Sequence, residues 1–142
     1  MTPLFLDPAI LLLAIGGEHP DRDPCRRIVE SAAAGRLRLH MSVEGGQEFL
    51  FHRMRRGDRG QALAAFDTIR SMVIWHDFTS EVLLAARDLV AASPIRGRDA
   101  VHAATAANAG FTRIVSTDAD FDALPALVRV HPADLESPAA GM

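Results

Sequence analysis

The sequence predicts an α/β fold: a three-layer α/β/α sandwich around a mainly parallel sheet of about five strands. Three observations carry the prediction. Short β-rich runs alternate with longer helical stretches, brief loops join them, and at 142 residues the chain has the size of one domain. Strands that alternate with helices in this way pair in parallel, since a crossover helix is the usual route from one parallel strand to the next. A chain of this length buries about two-thirds of its unfolded surface and needs no staples to fold.

Leu4-Phe5-Leu6 forms the first strand, at about residues 3–6. Asp7-Pro8 follows as N-cap and first helical residue, where the missing N–H of proline costs nothing. Ile10 to Ile15 continues as a buried helical turn or two, and Gly16 to Asp21 is a loop. Pro24 begins a second helix through about Ala34. Leu37 to His40 is the second strand, and Ser42 caps a helix that runs to Arg56, where Gly57 stops it. Residues 59–72 form an amphipathic helix with Leu63, Phe66 and Ile69 on its inner side. Val73-Ile74-Trp75 is the third strand, with Trp75 read as a core residue. Thr79 or Ser80 caps a helix from about Glu81 to Ala92, which Ser93-Pro94 terminates. Asp99 stands at or near the start of the next helix, a run of good helix formers that Gly110 closes. Residues 112–116 are the fourth strand, Ser116 to Asp120 the loop at its C-terminal end, and 127–130 the last strand. The domain therefore spans residues 1–132, and 133–142 is a polar tail.

Composition narrows the function classes. A net charge of −3 does not advertise nucleic-acid binding, which more often shows as a basic domain. A cluster of carboxylates neutralised by a divalent metal, however, lowers the isoelectric point without removing local basic patches. All 15 basic residues are Arg, whose forked guanidinium suits phosphate, although the richness in Ala, Gly and Arg also fits a GC-rich coding bias. The lone Cys25 forms no internal disulfide and argues for a reducing compartment and against a zinc site. The apolar N-terminal stretch is interrupted by Asp7, lacks a preceding basic region and falls short of a membrane span, so a soluble cytoplasmic protein is expected. Neither GxGxxG nor a P-loop occurs, and no GxSxG serves a nucleophilic serine.

Acids recur at corresponding places. Asp7 ends the first strand, Glu48 lies inside a helix beside Phe49, Leu50 and Phe51, Asp99 opens a helix, and Asp118 ends a strand with Asp120 two residues on. Taken singly, an Asp at a helix start is a cap and Asp-x-Asp after a strand is a turn. A parallel sheet brings them to one end, which is where ligands bind in open α/β sheets. Carboxylates crowded together raise one another's pKa, and a hard divalent cation resolves the conflict. All-oxygen ligation selects Mg²⁺, with Mn²⁺ as the other choice, over zinc. Such a metal activates water and polarises a phosphoryl oxygen, the chemistry of phosphodiester hydrolysis. An aspartyl-phosphatase reading of Asp118-x-Asp120 requires the pair after the first strand, where it does not lie.

Leu-Asp-Pro-Ala-Ile-Leu-Leu, Ser-Val-Glu-Gly-Gly-Gln-Glu-Phe, Arg-Asp-Ala-Val-His-Ala-Ala and Ser-Thr-Asp-Ala-Asp-Phe resemble the successive motifs of PIN-domain ribonucleases. Within that family the chain is most similar to the VapC toxins of toxin–antitoxin pairs, over about residues 4–132. The resemblance matches Asp7, Glu48, Asp99 and Asp118 to the family's catalytic acids, with Asp7, Asp99, Asp118 and the less constant Asp120 as metal ligands. It implies a Mg²⁺-dependent endoribonuclease acting on structured RNA, inhibited by a cognate antitoxin and usually homodimeric. One departure stands out. The family places Thr or Ser, then Asn or Ser, after its first Asp, and this chain has Pro8 and Ala9. Losing such supporting hydrogen bonds costs roughly 10–100-fold in affinity or activity. The alternatives are therefore a PIN-like binding module with weakened catalysis, or a metal phosphoesterase acting on DNA flaps or small esters. Arg96 and Arg98, which flank Asp99, and Arg53 in the basic run around Gly57 are the candidate RNA contacts. His102, on the same helical face as Asp99, reads as a satisfied core histidine.

Overall fold

A computed structural model of the chain describes residues 1–135. It contains strands β1 (Thr2–Phe5), β2 (Leu37–Ser42), β3 (Val73–His76), β4 (Arg113–Val115) and β5 (Val128–Val130). Between them run helices α1 (Pro8–Ile15), α2 (Arg22–Ala33), α3 (Val43–Arg56), α4 (Arg59–Arg70), α5 (Ser80–Ala92) and α6 (Gly97–Asn108). All strand pairs are parallel, with β1-β2-β3 in one sheet and β4-β5 in another. The expected single sheet of five strands is thus corrected to a three-stranded and a two-stranded ladder. A lone parallel bridge, Leu6 to Val115, joins them. The reason is length. β4 has three residues, and Asp7 turns into α1 immediately after its N–H has bonded the Val115 carbonyl at 3.0 Å.

The order across the bridge is β5-β4-β1-β2-β3. From β1 the chain moves one way to β2 and β3, then crosses back to lay β4 on the other side. β1 and β4 are therefore neighbours whose connections leave in opposite directions, and a crevice opens outside their C-terminal ends. Strand alternation sorts the core into two layers. Leu4, Leu6, Leu39, Met41 and Val73 pack with Ile10, Leu11, Ile28 and Phe49 on one face. Phe5 and Ile114 pack with Val82, Ala86, Ala100, Ala103 and Phe121 on the other.

Two local features set the depth of α3. A Cβ on Gly45 would stand 2.8 Å from Met41 Cγ, and one on Gly46 would stand 2.7 Å from the Trp75 ring. Only glycine lets the helix approach β2 and β3 this closely. Trp75 also stacks on Phe66, with centroids 6.1 Å apart, which bears out its core role. Helix α4 departs from expectation. Its inward stripe is Ala62, Ala65, Phe66 and Ile69, spaced as one helical face, while Leu63 points to solvent and is 54% exposed. Helix α2 starts two residues before Pro24, which the first turn tolerates. Of the segment expected as a tail, Ala133 and Asp134 belong to a 3₁₀ turn and Leu135 packs on the first core; residues 136–142 lie outside the described part. Among the described residues, no helix is long and apolar enough to cross a membrane.

Candidate functional site

The crevice beyond β1 and β4 is lined by a chain of hydrogen bonds that starts at Asp7. This side chain is buried; Oδ1 accepts the Ala9 N–H at 3.4 Å, and Oδ2 accepts the Ser116 hydroxyl at 2.7 Å. Ser116 Oγ in turn accepts the Asp118 N–H at 3.0 Å, and Asp118 Oδ1 accepts the Asp120 N–H at 2.9 Å. One buried hydroxyl therefore ties the end of β1 to the turn after β4. That turn is a 3₁₀ helix over Ala119–Ala123 with Asp118 as its cap, rather than an open loop. Arg129 on β5 holds it from outside. Its Nε and Nη2 donate to the two Asp122 oxygens at 2.9 and 3.0 Å, and its Nη1 to the Ser116 carbonyl at 3.3 Å.

Asp99 lies in the first turn of α6, two residues inside the helix and not at its cap, which is Arg96. It faces the other acids. Burial, then the charges of Asp7 and Asp118, push its carboxyl up to about 6. Burial likewise raises Asp7, against the lowering effects of the Ser116 hydrogen bond and His102. Carboxylate oxygens of Asp99, Asp118 and Asp120 come within 4.8 Å of one another. Asp7 and Glu48 flank that trio without joining it, and both add to its negative field.

Glu48 is positioned by a relay from α6 and β2. The His102 Nε2–H donates to Glu48 Oε1 at 3.0 Å, and His102 Nδ1 lies 2.8 Å from Ser42 Oγ. A carboxylate only accepts, so the ring carries its proton on Nε2; in the neutral ring Nδ1 accepts the Ser42 hydroxyl. Ser42 Oγ also accepts the Gly45 N–H at 3.0 Å, capping α3. His102 is 1% exposed and is the satisfied core histidine the sequence suggests. Its bond to Glu48 gives that burial a further consequence: the acid is fixed in place.

The arginines divide. Arg98 lines a cleft between α3 and α6 that adjoins Glu48 and His102, and Arg96 is exposed at the start of α6. Arg53 is half-buried, its Nε shielded and without a hydrogen-bond partner among the described residues, and Arg55 rather than Arg53 reaches the cleft. Sequence reasoning passed over Ser116 and Arg129 and took Ser42 only as a cap. The single available signal was that Ser116 sits beside Asp118 at a strand end.

As a donor set, the trio offers only carboxylate oxygen; Asp99 is raised by burial first and then by Asp7 and Asp118, and among the described residues no arginine or histidine forms an ion pair with any of the three. That combination fits a hard divalent cation. Comparison with known proteins agrees with the geometry. The family model described as "PIN domain" matches residues 4–127. The chain belongs to the PIN-domain family. Among curated relatives of this PIN domain, Ribonuclease VapC7 of Mycobacterium tuberculosis is 36% identical over 133 residues, covering 91% of each chain. Ribonuclease VapC13 of the same species is 32% identical over 130 residues, 89% of this chain and 98% of the relative. The solved structure of VapBC2 from Rickettsia felis, bound to a promoter DNA fragment, superposes with a TM-score of 0.74 at 18% identity and covers 92% of this chain and 98% of that one. The structure of Mycobacterium tuberculosis VapC20, described as a Sarcin-Ricin loop cleaving toxin, gives a TM-score of 0.69 at 18% identity, over 84% and 93% of the two chains. At that identity the structural likeness speaks for the fold.

Proposed function

We propose that this PIN domain is a divalent-metal-dependent ribonuclease and the toxin of a toxin–antitoxin pair. The observation that carries the reading is Asp99, held near two other carboxylates with its own pushed to about 6. Its relatives' names, Ribonuclease VapC7 and VapC13, support RNA as the substrate, and the VapBC neighbours support an antitoxin partner. Asp99, Asp118 and Asp120, with Asp7 behind them, would hold the cation, with Mg²⁺ or Mn²⁺ the choice for oxygen donors. Bound there, it would neutralise the carboxylates and polarise a phosphodiester.

The chain's own residues supply the rest. His102 occupies one oxygen of Glu48 and leaves the other to orient a water and take its proton. Arg98 and Arg96, at the mouth of α6, meet phosphates of the bound strand. Pro8 and Ala9 bring no side-chain hydroxyl or amide, and Ser116, arriving from β4, supplies the bond that orients Asp7. This favours an active enzyme over a weakened binding module.

The test uses the purified chain with labelled RNA, single-stranded DNA and a small aryl phosphodiester, each with Mg²⁺, Mn²⁺ or a chelator. RNA cleavage that requires metal is the expected result. Absence of RNA cleavage in either metal, or cleavage that persists in the chelator, overturns the reading.

A further inference from the structure

The cleft between α3 and α6 is the part of this site that the carboxylate chemistry leaves unused. Its volume is about 600 Å³, and it shares Glu48 and His102 with the acidic crevice, so it opens directly beside it. Phe51, one of its walls, is 45% exposed. Arg55 on α3 and Arg98 on α6 are exposed cations along it, and His52 lies between Phe51 and Arg55 in sequence, one helical turn past Glu48. His52 Nδ1 is shielded from solvent and has no hydrogen-bond partner among the described residues. Burial and then Arg56, Arg53 and Arg55 push this imidazole down, and with Nδ1 shielded it is Nε2 that is left to the cleft.

We infer that this cleft is a nucleotide subsite, in which one unpaired RNA base stacks on Phe51, His52 bonds the base edge, and Arg55 and Arg98 hold the neighbouring phosphates. The inference rests on the ribonuclease reading of the carboxylate site. A nucleotide next to the cleaved phosphate is tied to it by a single ribose, and the space beside Glu48 is this cleft. The wall chemistry suits that occupant: an aromatic face stacks any base, and guanidinium forks bind phosphate. Base edges carry donors and acceptors side by side, and the one imidazole nitrogen left to the cleft meets either, according to its tautomer. An apolar protein segment would satisfy Phe51 and leave the two guanidiniums and His52 without a purpose.

Binding is measured by fluorescence anisotropy with a short labelled single-stranded RNA of mixed sequence, on full-length protein carrying Asp99→Asn to prevent turnover. Adding Phe51→Ala weakens binding about five- to hundredfold, the scale of one lost stacking contact, while Phe51→Trp retains it. His52→Gln changes preference among oligomers of single-base composition. Arg113→Ala, on β4 away from the cleft, leaves binding unchanged and serves as the control. In the otherwise unmodified enzyme, Phe51→Ala raises KM for RNA and leaves kcat nearly intact. Phe51 is exposed, so these variants fold, which thermal melts verify. If the parent cleaves RNA and Phe51→Ala binds it as tightly as Asp99→Asn alone, the subsite is overturned and the cleft is left to a protein partner. If the parent neither binds nor cleaves RNA, the ribonuclease reading falls first and takes the subsite with it.

Discussion

Two clusters of titratable side chains sit on this sheet, and they answer burial in opposite ways. At the C-terminal ends of β1 and β4, Asp7 and Asp99 are pushed up, by burial first and then by the acids around them. On β2 and β3, His40 Nδ1 and His76 Nε2 meet at 2.8 Å, with Phe111 packed edge-on against both rings. There burial, then His76 and Arg38, push His40 down. The histidines resolve their conflict internally, because one proton between two nitrogens makes a hydrogen bond. The carboxylates do not. Among the described residues no arginine or histidine forms an ion pair with Asp7, Asp99, Asp118 or Asp120. A cluster that folds around an uncancelled charge is built for something that arrives later, whereas one that cancels its own is part of the scaffold.

The largest effect that sharpens this contrast comes from Asp99→Asn. It removes a charge the proposed chemistry requires and should cut metal-dependent RNA cleavage at least about a hundredfold, the scale of losing one preorganised electrostatic group. Stability should move the other way. The folded chain holds a proton on Asp99 more tightly than the unfolded chain does, so the metal-free protein loses stability as pH rises from the ordinary carboxylate value of 3.8 to about 6. Asp99→Asn should flatten that decline and raise the melting midpoint at neutral pH. Mg²⁺ should stabilise the parent and do so more strongly above this window than below it. Thermal melts across the window, with and without Mg²⁺, check both halves, and undiminished cleavage by Asp99→Asn would sink the assignment.

A smaller effect is expected from Ser116→Ala. Asp7 then keeps only the 3.4 Å bond from Ala9, and the Asp118 N–H loses its acceptor. Metal affinity or activity should fall roughly 10–100-fold, as for other groups that orient ligands. Calorimetric titration with Mn²⁺, alongside cleavage rates, measures this. An unchanged affinity would mean that the end of β1 is held by the backbone alone, through the Asp7 N–H bond to Val115.

These contrasts also show what the sequence makes visible. Most helix boundaries and all five strands could be read because caps, proline and glycine act locally: Asp7, Ser42 and Thr79 each accept a backbone N–H of the turn they open, while the start of α2 falls two residues before Pro24. The acids could be read because they recur at strand ends and helix starts of a predictable topology. What stayed hidden acts across long separations. Ser116 and Asp7 are 109 residues apart, and the place of Ser116 near Asp118 at a strand end does not say that its hydroxyl reaches the acid of the first strand. The His40–His76 pair depends on the register of β2 against β3, which places His40 opposite Ile74 and Ser42 opposite His76. Leu63 was misplaced because Ala62 and Ala65 build a helical stripe without looking apolar enough to claim one.

The smallest effect tests the scaffold cluster. His40 holds a proton less readily when folded than its ordinary value of 6.5 implies, so the unfolded chain binds the proton more tightly. Its contribution to stability is complete above 6.5 and is lost as pH falls below it, because burial first, and then the neighbouring His76 and Arg38, disfavour the charged His40 ring. This slope is opposite in sign to that of Asp99, and the two overlap near pH 6. His40→Phe keeps a ring beside Phe111 and removes the titration; losing the hydrogen bond costs about 0.5–1.5 kcal/mol at neutral pH. Melting curves against pH, taken in the Asp99→Asn background, should show an acid-side decline that His40→Phe reduces. If the decline is the same with and without His40, the acid sensitivity belongs elsewhere, and the two clusters differ only in position and not in how they dispose of charge.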